Sequence, residues 1–225
     1  MIHLDFCKWL DMADLTVKLW ITNKIDTVES GFSQLSPIIP KLYITDFKVL
    51  TLRDQRISYN DILFLSNVEK LEFCNVILKN EDGTIVKLEK LVKVLPKTKY
   101  ITISETLKEY SNSMISKNTV NELLKLPHFS KITNFNLDDI PETFDIETCF
   151  AFIKENKISK FRLHFSSSIS AAHKTRLEAI IDEILQTENH DYKVPFIDFR
   201  ACNRNFSITK NGENTVHFSI KIKSL

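Results

Sequence analysis

A short phrase recurs along most of this chain: a hydrophobic strand, a polar break, an amphipathic helix, a Leu-Pro or Leu-Ser stop, then the next strand. Its strand part reads KVLTL at Lys48–Leu52, EKLEF at Glu69–Phe73, KYITI at Lys99–Ile103, KITNF at Lys131–Phe135 and KFRLH at Lys160–His164. A weaker copy, PFIDF, occupies Pro195–Phe199. Strands joined by helical crossovers must run parallel, and the crossover is nearly always right-handed. Repeated units of this kind suggest a binding scaffold more than a single catalytic pocket.

With Leu50, Leu71, Ile101, Ile132, Phe161 and Phe196 as landmarks, the gaps are 21, 30, 31, 29 and 35 residues. Leucine-rich repeats run roughly 20–29 residues, so the spacing is an uneven, stretched version of theirs. Helices all on one face would give a curved solenoid, and helices on alternate faces a doubly wound sheet. The ligand site of a doubly wound sheet is built on a glycine loop at the point where strand order reverses. Only three glycines occur among 225 residues, Gly31, Gly83 and Gly212, where average usage of about 7% would supply many more. No phosphate-cradling loop and no nucleophile elbow can be written with them. The predicted fold is therefore α/β: an irregular leucine-rich-repeat-like solenoid with a curved, mainly parallel sheet, helices on one face and a C-terminal β-hairpin cap.

Residues 1–40 form a separate expectation. Apolar residues at helical spacing over 4–25 (Leu4, Cys7, Leu10, Val17, Ile21) predict an N-terminal helical segment. Pro37 and Pro40 break any helix there. Residues 41–225 are the expected strand–helix domain, with helix starts at Ser58, at Asn118 or Ser116, and at Asp145. The amphipathic stretch 86–95 and the stripe Leu177, Ile180, Ile181, Ile184 and Leu185 predict two further helices. Phe206–Thr209, Asn211-Gly212 and Val216–Ile222 predict the hairpin at 205–223.

A formal net charge of +1 supplies no global field for nucleic acid or acidic membrane, and 43% hydrophobic with 26% charged residues is ordinary for a globular chain. The four cysteines lie more than fifty residues apart, so no metal or redox pair is spelled out. The opening MIHLDF has no basic stretch before an apolar run, and no segment is apolar enough to span a bilayer. These features predict an intracellular protein, cytoplasmic or nuclear, with reduced thiols and no membrane partner.

Some residues invite chemistry. Lys87, Lys90, Lys93 and Lys97, with Lys99 nearby, form the best basic cluster. They read either as a solvated helix face or as a phosphate-tracking surface for nucleic acid. Glu89 interrupts them and no aromatic side chains interleave for stacking. Asp138, Asp139, Glu142, Asp145 and Glu147 form an acidic loop. They suit a helix start, or a paired acid–base or Mg²⁺ site if two carboxylates share a rigid face. His128, His164, His173 and His217 show no metal-ligand spacing. Ser166–Ser168 near His173 reads as a polar turn and cap, with nothing to orient a nucleophile. No catalytic residue, metal ligand or cofactor is assigned.

Three stretches carry a family resemblance. They are Leu65–Phe73 with Lys79–Val86 and Leu91–Pro96, then Leu123–Lys131, then Arg162–Ser170 with the helix to Leu185. They resemble a large nematode family of F-box-associated, leucine-rich-repeat-like proteins, over roughly 40–200. The resemblance implies the substrate-binding region of a cullin-type ubiquitin-ligase receptor, whose F-box would bind the ligase adaptor. Residues 1–40 lack the early Leu-Pro and the short-helix pattern of an F-box, and stand as a cap or a remnant. The expected function is a non-catalytic protein-interaction scaffold with an unidentified protein partner. The alternatives are a nucleic-acid binder through Lys87–Lys99 and an enzyme whose site is assembled from distant loops.

Overall fold

The computed structural model describes residues 18–27, 35, 39–104, 113–199, 208–211 and 215–218. The strands are β1 (Leu19–Ile21), β2 (Lys24–Asp26), β3 (Leu42–Thr45), β4 (Val49–Arg53), β5 (Arg56–Ser58), β6 (Lys70–Cys74) and β7 (Ile77–Lys79). After these come β8 (Tyr100–Ser104), β9 (Asn134–Ile140), β10 (Lys160–Phe165), β11 (Phe196–Phe199), β12 (Ile208–Asn211) and β13 (Thr215–Phe218). The helices are α1 (Tyr59–Phe64), α2 (Leu88–Lys93), α3 (Thr119–Leu124), α4 (Ile146–Glu155) and α5 (Ala171–Gln186).

Seven strands make one sheet in the order β11-β10-β9-β8-β6-β4-β2, and every pairing in it is parallel. The order runs with the chain and never reverses, so the sheet has no switch point of the doubly wound kind. Ile25, Leu50, Leu71, Ile101, Phe135 and Phe161 stand side by side in register. Five of those six are 4% exposed or less and Ile25 is 8%, so one face of the sheet is sealed from end to end. Leu91 and Val92 of α2, Leu123 of α3, Ile153 of α4 and Leu177 and Ile181 of α5 join the same apolar cluster. The opposite face carries the alternate residues, which are half-buried or exposed save Thr51. A strand with one buried face must alternate in this way, and a one-residue slip would invert every side chain.

The helix starts follow local chemistry. Ser58 accepts from Asp61 N–H at 3.1 Å while Asp61 accepts from Ser58 N–H at 3.2 Å, closing a capping box on α1. Asp145 accepts from Thr148 N–H at 3.0 Å and Ser170 from His173 N–H at 3.2 Å, starting α4 and α5. Asn118 precedes α3 but makes no side-chain cap.

Several expectations need correction. The helix predicted over 4–25 fails where the structure describes it: Leu19–Ile21 and Lys24–Asp26 are strands, and β2 is the sheet's last member. Trp20, Ile21, Thr22, Ile25 and Thr27 are aromatic or β-branched and suit a pleated surface, while Asn23 lends its carbonyl to Lys48 N–H at 2.9 Å. Residues 1–17, 28–34 and 36–38, most of the 1–40 segment expected to be a cap or an F-box remnant, lie outside the described residues. The landmark Ile132 gives way to Phe135, because Phe129–Lys131 is a 3-10 turn and pairing resumes at Asn134. Phe196 pairs with Arg162 and so stands on the other face from Phe161. A hairpin forms with shifted bounds: β12 and β13 pair antiparallel from Ile208↔Phe218 to Asn211↔Thr215, as a two-stranded sheet of their own, so Asn211 is a strand residue and not the first residue of an Asn-Gly turn. Residues 212–214, with Gly212, lie outside the described residues.

A feature invisible to hydrophobic pattern recurs at three strand ends. Asp54, Asn75 and Asp139 have φ of 50°, 56° and 60°. Asx side chains tolerate this left-handed conformation better than most. Asn75 Nδ2 donates to Asp54 Oδ1 at 3.0 Å, tying neighbouring units together. Beyond these residues β5 and β7 run parallel as a short second layer of pairing.

Candidate binding face

The open face of the sheet is a lattice of mostly polar side chains, with Val49, Cys74 and Phe196 among them, in three rows, one for every second residue along the strands. The first row is Lys24, Val49, Lys70, Tyr100, Asn134 and Lys160. The second is Asp26, Thr51, Glu72, Thr102, Asn136, Arg162 and Phe196. Arg53, Cys74, Ser104 and Asp138 form the third, with His164 and Asp198 at its far end. Rows about 6.6 Å apart along the strand and strands about 4.8 Å apart across it give the face its grain.

The two halves differ in how charge is handled. Over β2, β4 and β6 the charges pair among themselves. Lys24 meets Asp26 at 2.6 Å, Arg53 meets Asp26 at 3.9 Å, and Lys70 meets Glu72 at 2.7 Å. Thr51 Oγ1 also donates to Glu72 at 3.1 Å. The Lys70 ammonium beside Glu72, more than any other contact, holds its carboxyl below the usual range. In the middle, Asn136 Nδ2 donates to Thr102 Oγ1 at 3.2 Å and the surface is uncharged.

Over β9, β10 and β11 the charges separate by row. Lys160 and Arg162 are exposed and have no carboxylate partner among the described residues. The Arg162 guanidinium lies 4.9 Å from the centre of the Phe196 ring, a cation–π contact that leaves its charge unpaired. At the C-terminal strand ends His164 stands between two carboxylates, with Nδ1 4.0 Å from Asp138 Oδ1 and Nε2 3.5 Å from Asp198 Oδ2. Neither contact is short enough for a strong hydrogen bond, and His164 Nε2 is shut from solvent without one. Asp138 follows Asn134 and Asn136 onto the open face by alternation, and a bulge opposes both Asp138 and Asp139 to His164, since Leu137 pairs Leu163 and Ile140 pairs Phe165.

The residues singled out in the sequence fall elsewhere. Lys87 precedes α2 and donates to the Ser113 carbonyl at 3.0 Å. Lys90 donates to Asn80 Oδ1 at 2.6 Å and sits 4.1 Å from the centre of the Tyr59 ring. Lys97 donates to Asn67 Oδ1 at 2.9 Å, and Lys99 pairs with Glu69 at 3.1 Å. Of the cluster, Lys93 alone is exposed without a partner among the described residues. The lysines are thus spread over a cap, a helix and a loop and tied to their neighbours, because α2 spans only Leu88–Lys93.

The acidic loop divides likewise. Asp145 caps α4, and Glu142 accepts from Ser170 N–H at 2.8 Å, which lowers its pKa. Glu147 lies 3.9 Å from Arg176, and Asp138 joins the open face beside His164. Ser166 and Ser168 share a hydroxyl contact of 3.1 Å at the turn before α5. His128 Nε2 meets the Val92 carbonyl at 2.9 Å. His173 is buried against Phe165, ring centres 5.4 Å apart, and desolvation pushes its pKa down. The side chain of His217 lies outside the described residues.

The Asp138, His164 and Asp198 grouping escaped the sequence because its members lie on three strands. The signal was the even-numbered parity of Lys160, Arg162 and His164 against buried Phe161, Leu163 and Phe165. Among the described residues no three His, Cys, Asp or Glu side chains are disposed to hold a metal ion, and no helix is long and apolar enough to cross a membrane. Comparison with protein-family models, with curated proteins and with solved structures finds no match to this chain.

Proposed function

We propose that this chain is a non-catalytic protein-interaction scaffold whose open sheet face receives a partner protein. One observation carries the reading: a seven-stranded parallel sheet has one face sealed by apolar packing, while the residues of the other face are half-buried or exposed save Thr51 and mostly polar, in register. A sheet buried on a single face is unusual among parallel sheets, which are commonly covered on both. Repeat scaffolds with helices on one side use the bare side for binding. In this reading the strand–helix units form an irregular, curved, leucine-rich-repeat-like solenoid, and the β12–β13 hairpin is its end cap.

The resemblance to F-box-associated proteins adds a finer proposal, an intracellular substrate-recognition region of a ubiquitin-ligase receptor. The nucleic-acid alternative gains nothing from Lys87, Lys90 and Lys97, whose ammonium groups are engaged within the protein. The enzyme alternative rests on Asp138, His164 and Asp198, where a general base would find two orienting carboxylates.

Affinity purification with wild type and with Thr102→Arg/Asn136→Arg, at the centre of the face, tests the scaffold. Loss of the specific partners from the folded variant is expected. An unchanged partner set would sink the open-face assignment. A pull-down with purified cullin adaptor tests the ligase part separately, and no retention would remove it.

A further inference from the structure

The open face over β9–β11 sorts its charges by sign: among the described residues Lys160 and Arg162 meet no carboxylate, and Asp138 and Asp198 meet no lysine or arginine, only the His164 ring. Lys160 and Arg162 occupy the rows nearer the strand starts, while Asp138 and Asp198 flank His164 at the strand ends. Four residues of strand separate Lys160 from His164, about 13 Å, and the strands of the two carboxylates are about 10 Å apart. In the β2–β6 half, by contrast, lysine and arginine side chains meet carboxylates within 4 Å. Asp138 and Asp198 have side-chain exposures of 36% and 30%, enough to be reached and too little to be fully hydrated. Partly desolvated charges arranged in this manner reward an opposite charge on a partner and penalise a like one.

We propose that this half of the face is a dipolar docking surface for an extended protein segment. That segment carries an acidic side chain for Lys160 and Arg162 and a basic side chain for Asp138 and Asp198. The inference deepens the scaffold reading and depends on it. At about 3.3 Å per residue, the two partner charges stand two to four positions apart in an extended chain. The Phe196 ring, stacked with Arg162, offers apolar contact between them. A polyanion such as nucleic acid fits poorly, because it would set phosphates against Asp138 and Asp198.

Selection from a random dodecapeptide display library tests the arrangement. Wild type should enrich peptides with an acidic and a basic residue two to four positions apart. Asp138→Lys/Asp198→Lys should enrich acidic peptides, and Lys160→Glu/Arg162→Glu basic ones. Binding of the wild-type peptides should weaken about tenfold at ~0.5 M salt, where screening reaches only a few ångströms. All four side chains are at least partly exposed, and the variants should keep the wild-type circular dichroism and urea midpoint. The single variants Asp198→Lys and Arg162→Glu repeat the test should a double variant misfold. The same charge pattern on all three proteins, or no enrichment, would overturn the proposal. So would enrichment of wholly acidic peptides, or Lys160- and Arg162-dependent retention of a single-stranded oligonucleotide, by wild type. If the fourfold variant still recovers the wild-type partners from extract, the scaffold reading stands and this surface falls.

Discussion

Removing the side chain of Leu71 probes the sealed face at a fully enclosed point. Leu71 lies on β6, between Leu50 of β4 and Ile101 of β8 in register, and all three are 0% exposed. Leu→Ala in a core costs about 2–5 kcal/mol, more where the surroundings cannot collapse into the cavity. Here both flanking strands are held in the sheet by backbone hydrogen bonds, so the cost should fall at about 3–5 kcal/mol. Against a domain stability of about 5–15 kcal/mol this is a large fraction. With a urea slope of about 1–3 kcal/mol per molar, the midpoint should fall by one to several molar. The adjacent residue gives the control. Glu72 points to the open face, and its contacts with Lys70 and Thr51 are partly solvated. Such pairs contribute about 0–1 kcal/mol, so Glu72→Ala should barely move the midpoint. Urea unfolding followed by circular dichroism measures both. Equal midpoints for Leu71→Ala and Glu72→Ala would refute the alternation on which the account rests.

Further outcomes follow from single side chains. His173 is buried with its pKa lowered from 6.5, mainly by desolvation, so the folded protein favours the neutral ring. The unfolded chain then binds the extra proton first. Stability from this group should be complete above pH 6.5 and fall as the pH drops below it, and His173→Leu should flatten that part of the pH–stability profile. An identical slope in the variant would count against it. The Cys149 thiol is buried and pushed up to about 12, so native alkylation at pH 8 should proceed only through unfolding; rapid labelling of native protein would contradict its placement. At Asn75, with φ of 56°, Asn75→Val should be less stable than Asn75→Gly by about 1–2 kcal/mol. Equal urea midpoints would show that the left-handed conformation is not held.

Much of the fold was legible because it rests on local chemistry. Ser58 with Asp61, and Asp145, announced their helices through capping. Of the predicted stripe, Leu177, Ile180, Ile181 and Ile184 form the buried side of α5, while Leu185 is exposed. The failures have a common cause. Residues 19–26 carry apolar groups at a spacing that a helix or two short strands can satisfy, and pairing of β2 with β4 decides between them. At three residues each, β5 and β7 are too short to show a period. They pair because Asp54 and Asn75 turn the chain alike and Ile77 N–H meets the Gln55 carbonyl at 2.9 Å. The charge-sorted end of the open face depends on register among three strands. No local pattern brings His164 to Asp198 without first fixing Arg162 opposite Phe196.

Cysteine accessibility along one strand reaches the central claim most directly. Thr102→Cys and Ile103→Cys place thiols on adjacent residues of β8, and maleimide labelling of the folded protein can be followed at each site by mass spectrometry. The account predicts fast labelling at 102, on the open face, and labelling at 103 slowed by orders of magnitude to the rate at which the strand opens. Comparable rates at the two positions would mean that the sheet is covered on both faces or sealed on neither, and would contradict the account.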